Sequence, residues 1–133
     1  MIKTLIITVF LLVTSFCCLI SAGEDPKVSK EHLIQGVSLL KNGHLEEAIE
    51  EFKKAIELNG QSSAAYYNLG LCYLRLENFK KAVEPFKKYI ESHPDSAFAH
   101  YNLGCAYSKI GNKIKAQEEY NKALELNPDL ANR

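Results

Sequence analysis

The residues of this chain best suited to chemistry are its histidines, its cysteines and a recurring set of Glu–Lys pairs, and their spacing assigns them little of it. His32 and His100 occupy equivalent offsets two repeat units apart, and His44 and His93 fall beside expected turns. No His/Cys cluster has the spacing with which zinc ligands converge, so surface histidines are expected and no metal. Cys72 and Cys105 are spaced one position short of the interval at which the chain repeats. One helical residue of offset rotates a side chain by about 100°, and a disulfide needs converging Cβ vectors. Two small, half-buried apolar residues are the expected reading. Glu50 and Lys54, Glu84 and Lys88, and Glu118 and Lys122 are i,i+4 pairs, each worth about 0.2–0.5 kcal/mol on a helix. They mark a solvated face rather than catalytic carboxylates. No nucleophile–base pair, phosphate loop or zincin motif is present, so neither enzymatic activity nor a cofactor is expected.

The elements that position these residues repeat. Gly36, Gly70 and Gly104 follow one another at one fixed step, as do Ala48, Ala82 and Ala116, and the aromatics Phe52, Phe86 and Tyr120. A fixed period of about 34 residues marks a solenoid, whose use is a binding surface more often than a reaction vessel. Each unit reads as two helices. In the second, Tyr66, Leu69, Gly70, Tyr73 and Leu76 recur at helical steps over 63–76. Glu77 and Asn78 turn the chain, Phe79–Ile90 forms the second helix, Pro94 stops it, and Asp95 or Ser96 caps the next. In the third, Gly111 and Asn112 make the turn and Pro128 the end. The first is the least regular: Ser29 is expected to cap its first helix, Asn42 and Gly43 to turn it, and Gly60 stands in place of proline. A glycine inside a helix costs about 1 kcal/mol relative to alanine. Three at one offset therefore indicate close helix approach, with the aromatics filling the space beside them.

The segments Tyr66-Tyr67-Asn68-Leu69-Gly70-Leu71-Cys72-Tyr73 and His100-Tyr101-Asn102-Leu103-Gly104-Cys105-Ala106-Tyr107, with the alanine, aromatic and proline positions that follow, resemble the tetratricopeptide repeat. The first copy departs from the pattern, with Gln35 for the leucine and Leu39 for the tyrosine. The resemblance implies an all-α, right-handed α-solenoid of three repeats at 29–62, 63–96 and 97–130, with a linker at 24–28 and a tail at 131–133. It also implies a partner protein or peptide held in a concave groove on the first helix of each pair. Carried over by position, that groove presents Leu33 and Val37, then Tyr67 and Leu71, then Tyr101 and Cys105. Asn68 and Asn102 lie beside them, with Lys41, Arg75 and Lys109 toward the helix C-termini. Apolar and aromatic anchors with few polar groups suit an apolar or amphipathic segment. Family members that hold the acidic C-terminus of cytosolic chaperones use a lysine and an asparagine where this chain has Leu33 and Val37, so that partner class is disfavoured.

Sixteen basic and sixteen acidic residues leave no net charge, and no global attraction to nucleic acid. Residues 1–23 read as an export signal: Lys3, an almost wholly apolar run from Leu5 to Ile20, then the small residues Ser21 and Gly23. The alternatives are an uncleaved anchor over 4–22, close to the ~20 residues that span a bilayer, and lipidation at Cys17 or Cys18, whose preceding residues Phe16 and Cys17 fit a lipobox poorly. A periplasmic, secreted or membrane-anchored protein is expected, with membrane contact only if this segment is retained or lipidated. At the other end, Lys113 and Gln117 replace the apolar residues of earlier repeats and read as a C-terminal cap. Ile114, Leu124 and Leu126 leave apolar surface there. Homo-oligomer formation or assembly through the repeat ends is therefore the alternative to groove binding.

Overall fold

The computed structural model describes residues 26–132. The expected signal segment, Cys17 and Cys18 lie outside them. Six α-helices occur among the described residues: α1 (Pro26–Asn42), α2 (Leu45–Leu58), α3 (Ser63–Arg75), α4 (Phe79–Ser92), α5 (Ala97–Ile110) and α6 (Lys113–Leu126), followed by a 3₁₀ turn at Pro128–Asn132. They pack as three antiparallel pairs, each pair stacking on the next.

Every first helix ends in the same hydrogen-bonded turn. His44, Asn78 and Asn112 donate their backbone N–H to Leu39, Tyr73 and Tyr107 at 3.0, 2.8 and 2.9 Å. Gly43, Glu77 and Gly111 donate to Leu40, Leu74 and Ser108. This is the Schellman closure, and its penultimate residue adopts a left-handed conformation. Glycine supplies that conformation at Gly43 (φ 84°) and Gly111 (φ 92°), whereas Glu77 adopts it at φ 56°. Asn112 then caps α6, its side-chain oxygen accepting from the Lys115 N–H. Ser96 caps α5 in the same way through Ala99, as expected.

The periodic glycines meet the periodic aromatics directly. A Cβ on Gly36 would lie 2.6 Å from the Phe52 ring, one on Gly70 2.8 Å from Phe86, and one on Gly104 2.8 Å from Tyr120. Phe52 and Phe86 are fully buried, each contributing roughly 1.5–3 kcal/mol by leaving water. Leu69 and Cys72 of α3 close the core over Ile49 and Phe52, and Leu103 and Ala106 of α5 do so over Phe86.

Two expectations need correction. Ser29 does not cap α1: the helix already includes Pro26, so Pro26–Val28 are helical rather than linker, and the buried Ser29 hydroxyl donates across the pair to the Ala55 carbonyl at 2.9 Å. The i,i+4 pairs do not form. Lys53, Lys87 and Lys88 reach Glu50, Glu84 and Glu91 at i,i+3 spacing, and Lys54 and Lys122 likewise reach Glu51 and Glu125. Each lysine has carboxylates at both spacings, and the nearer one wins. After α6, the 3₁₀ turn Pro128–Asn132 packs back on that helix, with Leu130 only 5% exposed.

Candidate functional site

First helices touch one another, α1 with α3 and α3 with α5, while no such packing joins the second helices. The array therefore curves with α1, α3 and α5 on its inner side, which puts the residues named from sequence on one face. Leu33, Val37, Tyr67, Asn68, Leu71, Tyr101, Asn102 and Cys105 are half-buried there, and Lys41, Arg75 and Lys109 are exposed.

Several of these side chains hold the array together as well as lining it. The Tyr67 ring packs edge-on to Phe86 at 5.8 Å and against Tyr89 at 4.8 Å. Its hydroxyl accepts from the Asn102 amide at 3.3 Å, joining the second repeat to the third. Burial, reinforced by Tyr89, raises the Tyr67 hydroxyl above the ordinary phenol value. Tyr101 packs on Tyr120 at 5.5 Å, whose hydroxyl is also raised, by burial and then by Cys105. Arg75 donates to the Leu40 carbonyl at 3.3 Å, closing the end of α1. The Asn68 amide donates back to Ala64 at 2.9 Å, so Asn68 retains its oxygen as an acceptor. Sequence reasoning passed over Ile34, which is 60% exposed at the register of Asn68 and Asn102. The shared offset was the signal for it.

The histidines are not all surface residues. His100 is 8% exposed. Its Nδ1 lies 2.6 Å from the Glu119 carboxylate and its Nε2 3.0 Å from the Pro94 carbonyl. His32 makes the same contact with Glu51 at 2.6 Å, and Glu51 also pairs with Lys54 at 2.8 Å. Lys54, then His32, hold the Glu51 carboxyl below its ordinary value. In the second repeat the equivalent positions are Tyr66 and Pro85. These pairs cross-link the two helices of a repeat. No group of three or more His, Cys, Asp and Glu side chains suited to a metal occurs among the described residues. Cys72 and Cys105 are both free, and burial pushes the Cys72 thiol up to about 11, leaving it a protonated core residue.

The two ends of the array differ. Ala65, Leu69 and Cys72, and again Ala99, Leu103 and Ala106, are buried where one repeat stacks on the previous one. The same positions in α1 are Glu31, Gln35 and Ser38, so the N-terminal face is polar. At the C-terminal end Lys113 and Gln117 are exposed, as expected of a cap. Ile114 is 76% exposed, and a depression of about 210 Å³ opens between Tyr101, Tyr120, Leu124, Leu130 and Ala131. No helix among the described residues is long and apolar enough to cross a membrane.

Stacked antiparallel helix pairs recurring at one fixed step, with glycine against an aromatic in each pair, define a repeat scaffold. The chain belongs to the tetratricopeptide repeat family: tetratricopeptide repeat models match residues 35–97 and 97–130. Proteins of this family are interaction scaffolds, not enzymes. No curated protein matches the chain significantly. Among solved structures, the crystal structure of MamA is similar at 30% identity and TM-score 0.72, covering 82% of this chain and 64% of its own. YrrB, described as a TPR protein with an unusual peptide-binding site, is similar at 29% identity and TM-score 0.70, covering 76% of this chain and 52% of its own. The first TPR of Spaghetti (RPAP3), bound to an HSP90 peptide, shares the fold at 21% identity and TM-score 0.75, covering 81% and 86%. The chain thus spans under two thirds of the length of the MamA and YrrB chains it matches.

Proposed function

We propose that the chain is an exported interaction module that holds a segment of a partner protein against the inner face of α1, α3 and α5. The observation that carries this reading is the row Ile34, Asn68 and Asn102, at one register on the inner helices. It offers an exposed apolar side chain and two amides above the half-buried Leu33, Tyr67 and Tyr101. Such a row gives apolar contact together with groups that bond an extended backbone. The peptide site of YrrB and the bound peptide of the Spaghetti domain support it by likeness of fold. Export rests on the character of residues 1–23.

Affinity capture from the native cell envelope tests both parts. Tyr67 and Tyr101 are unsuitable probes because both rings pack against neighbours. Ile34→Arg combined with Asn68→Arg obstructs the face without entering the core. The expected result is one partner protein retained by the parent chain and lost by the double variant at equal helicity. Equal retention by both chains would contradict groove binding, and a mature N-terminus at Met1 would contradict cleavage. A second reading, assembly through the C-terminal end, is favoured by Ile114 and the depression beside Leu124. It requires mass to rise with concentration, and a monomer at all concentrations excludes it.

A further inference from the structure

We infer that the second repeat carries a saccharide site, a polar depression beside the α2–α3 connection that takes one neutral sugar ring on Tyr66. It lies where the second repeat departs from the other two, and it stands apart from the groove reading above.

The first and third repeats tie their helices together at this place with side chains of their own. His32 lies 2.6 Å from Glu51, and His100 lies 2.6 Å from Glu119 and 3.0 Å from the Pro94 carbonyl. One repeat step before His100, Glu119 and Pro94 stand Tyr66, Pro85 and Gly60. Proline has no side-chain acceptor, so Tyr66 has no counterpart of the histidine's contact with the facing helix. Leu58 and Leu126 end α2 and α6, and Ser92 stands in their place in α4. A depression of about 250 Å³ opens among these departures. Gly60 and Gln61 of the connection, Ser63 and Tyr66 at the start of α3, and Lys88, Glu91 and Ser92 at the end of α4 line it.

The lining selects a neutral, hydroxylated ligand. Its cation and its anion are spent on each other: Lys88 donates to both oxygens of the Glu91 carboxylate, at 3.1 and 2.9 Å. An ionic ligand would have to break that pair, and an apolar one would leave the polar lining unpaired. The hydroxyls of Ser63 and Tyr66 and the amide of Gln61 both donate and accept. Ser92 spends its proton on the Tyr89 carbonyl at 3.1 Å and keeps acceptor capacity. A sugar ring is the complement of such a lining. Its hydroxyls donate and accept in turn around the rim, and its C–H face suits the Tyr66 ring, an apolar body with a polar tip. The volume falls below the ~300–1,000 Å³ of pockets for drug-sized ligands, which limits the site to about one ring.

Saturation-transfer NMR of the full chain with glucose, galactose and N-acetylglucosamine tests this, with glycine betaine and butanol as zwitterionic and apolar probes. At least one sugar is expected to receive saturation, and neither of the other probes. The methyl glycoside of that sugar separates the two sources of such a ring: binding equal to the free sugar assigns a glycan, and weaker binding assigns a free sugar. Tyr66→His combined with Pro85→Glu rebuilds the contact of the other repeats, and should weaken sugar binding at least about tenfold while the thermal midpoint holds or rises. Ser92→Leu, at an exposed position, installs the residue of α2 and α6 and should weaken binding likewise at equal helicity. Saturation of none of the sugars, equal saturation of betaine or butanol, or undiminished sugar binding in either folded variant would overturn the inference.

Discussion

Gly70→Ala should destabilise the array by about 2 kcal/mol, the excess of overpacking over the gain in helix propensity. The new Cβ would stand 2.8 to 2.9 Å from three ring atoms of Phe86. Carbon atoms prefer about 3.5–4.0 Å, so the ring must retreat by roughly 0.7 Å. Phe86 is fully buried between α3, α4 and α5 and has nowhere open to go. Overpacking at a sealed site costs up to about 3 kcal/mol, and alanine, the better helix former, returns about 1 kcal/mol. Urea unfolding followed by circular dichroism measures the difference as a fall in midpoint at constant slope. Gly60→Ala is the control: its nearest heavy atom is the Ile56 carbonyl oxygen at 4.0 Å, and stability should hold or rise slightly. Phe86→Leu in the Gly70→Ala background should recover part of the loss, with a coupling of about 1 kcal/mol or more. Gly104→Ala should cost less, because Tyr120 is partly exposed and its ring can yield. Stabilisation by Gly70→Ala, or strict additivity with Phe86→Leu, would refute the claim that glycine is there to seat the ring.

Glu77→Gly should stabilise the array by about 1 kcal/mol, because a left-handed φ burdens any side chain bearing a Cβ, and thermal unfolding would show a rise of several degrees. An unchanged or lower midpoint would mean that the Glu77 side chain offsets its backbone cost. Glu51 should make stability acid-sensitive. Its carboxyl is held below the ordinary 4.5, so its contribution is complete above that value and is lost as pH falls through the lowered folded value. The midpoint gap between the parent and Glu51→Gln should therefore be widest near neutrality and close below pH 4.5, and a gap independent of pH would contradict the pairing with Lys54 and His32.

The repeat was legible because packing acts at fixed positions. One spacing of glycine, alanine and aromatic residues recurs whenever the same helix pair is built, so pairs, turns and core could be read directly. Less was legible where the backbone, not the side chain, sets the requirement. Nothing in the side chain of Glu77 signals a left-handed residue; only its register with Gly43 and Gly111 does. Polar contacts across the pair were also missed. His32 and Glu51 share one sequence offset with His100 and Glu119. A polar pairing repeated at inward positions outweighs a surface reading of these histidines. The lysine pairs show the reverse limit: sequence offered Lys53, Lys54, Lys87, Lys88 and Lys122 carboxylates at two spacings, and each pairs at i,i+3. At the positions named on the first helices, the packing role was not readable. Asn102 bonds Tyr67 and Arg75 bonds the Leu40 carbonyl, so each ties one repeat to the next.

Site-specific photo-crosslinking tests most directly whether the inner face is the binding face. Leu71→p-benzoylphenylalanine places the reactive group on α3 at the groove, and Lys53→p-benzoylphenylalanine places it on the outer surface of α2. Irradiation in the native cell envelope should yield one partner adduct from position 71 and none from position 53. An adduct from position 53 with none from position 71 would place the partner on the outer helices and contradict binding in the groove.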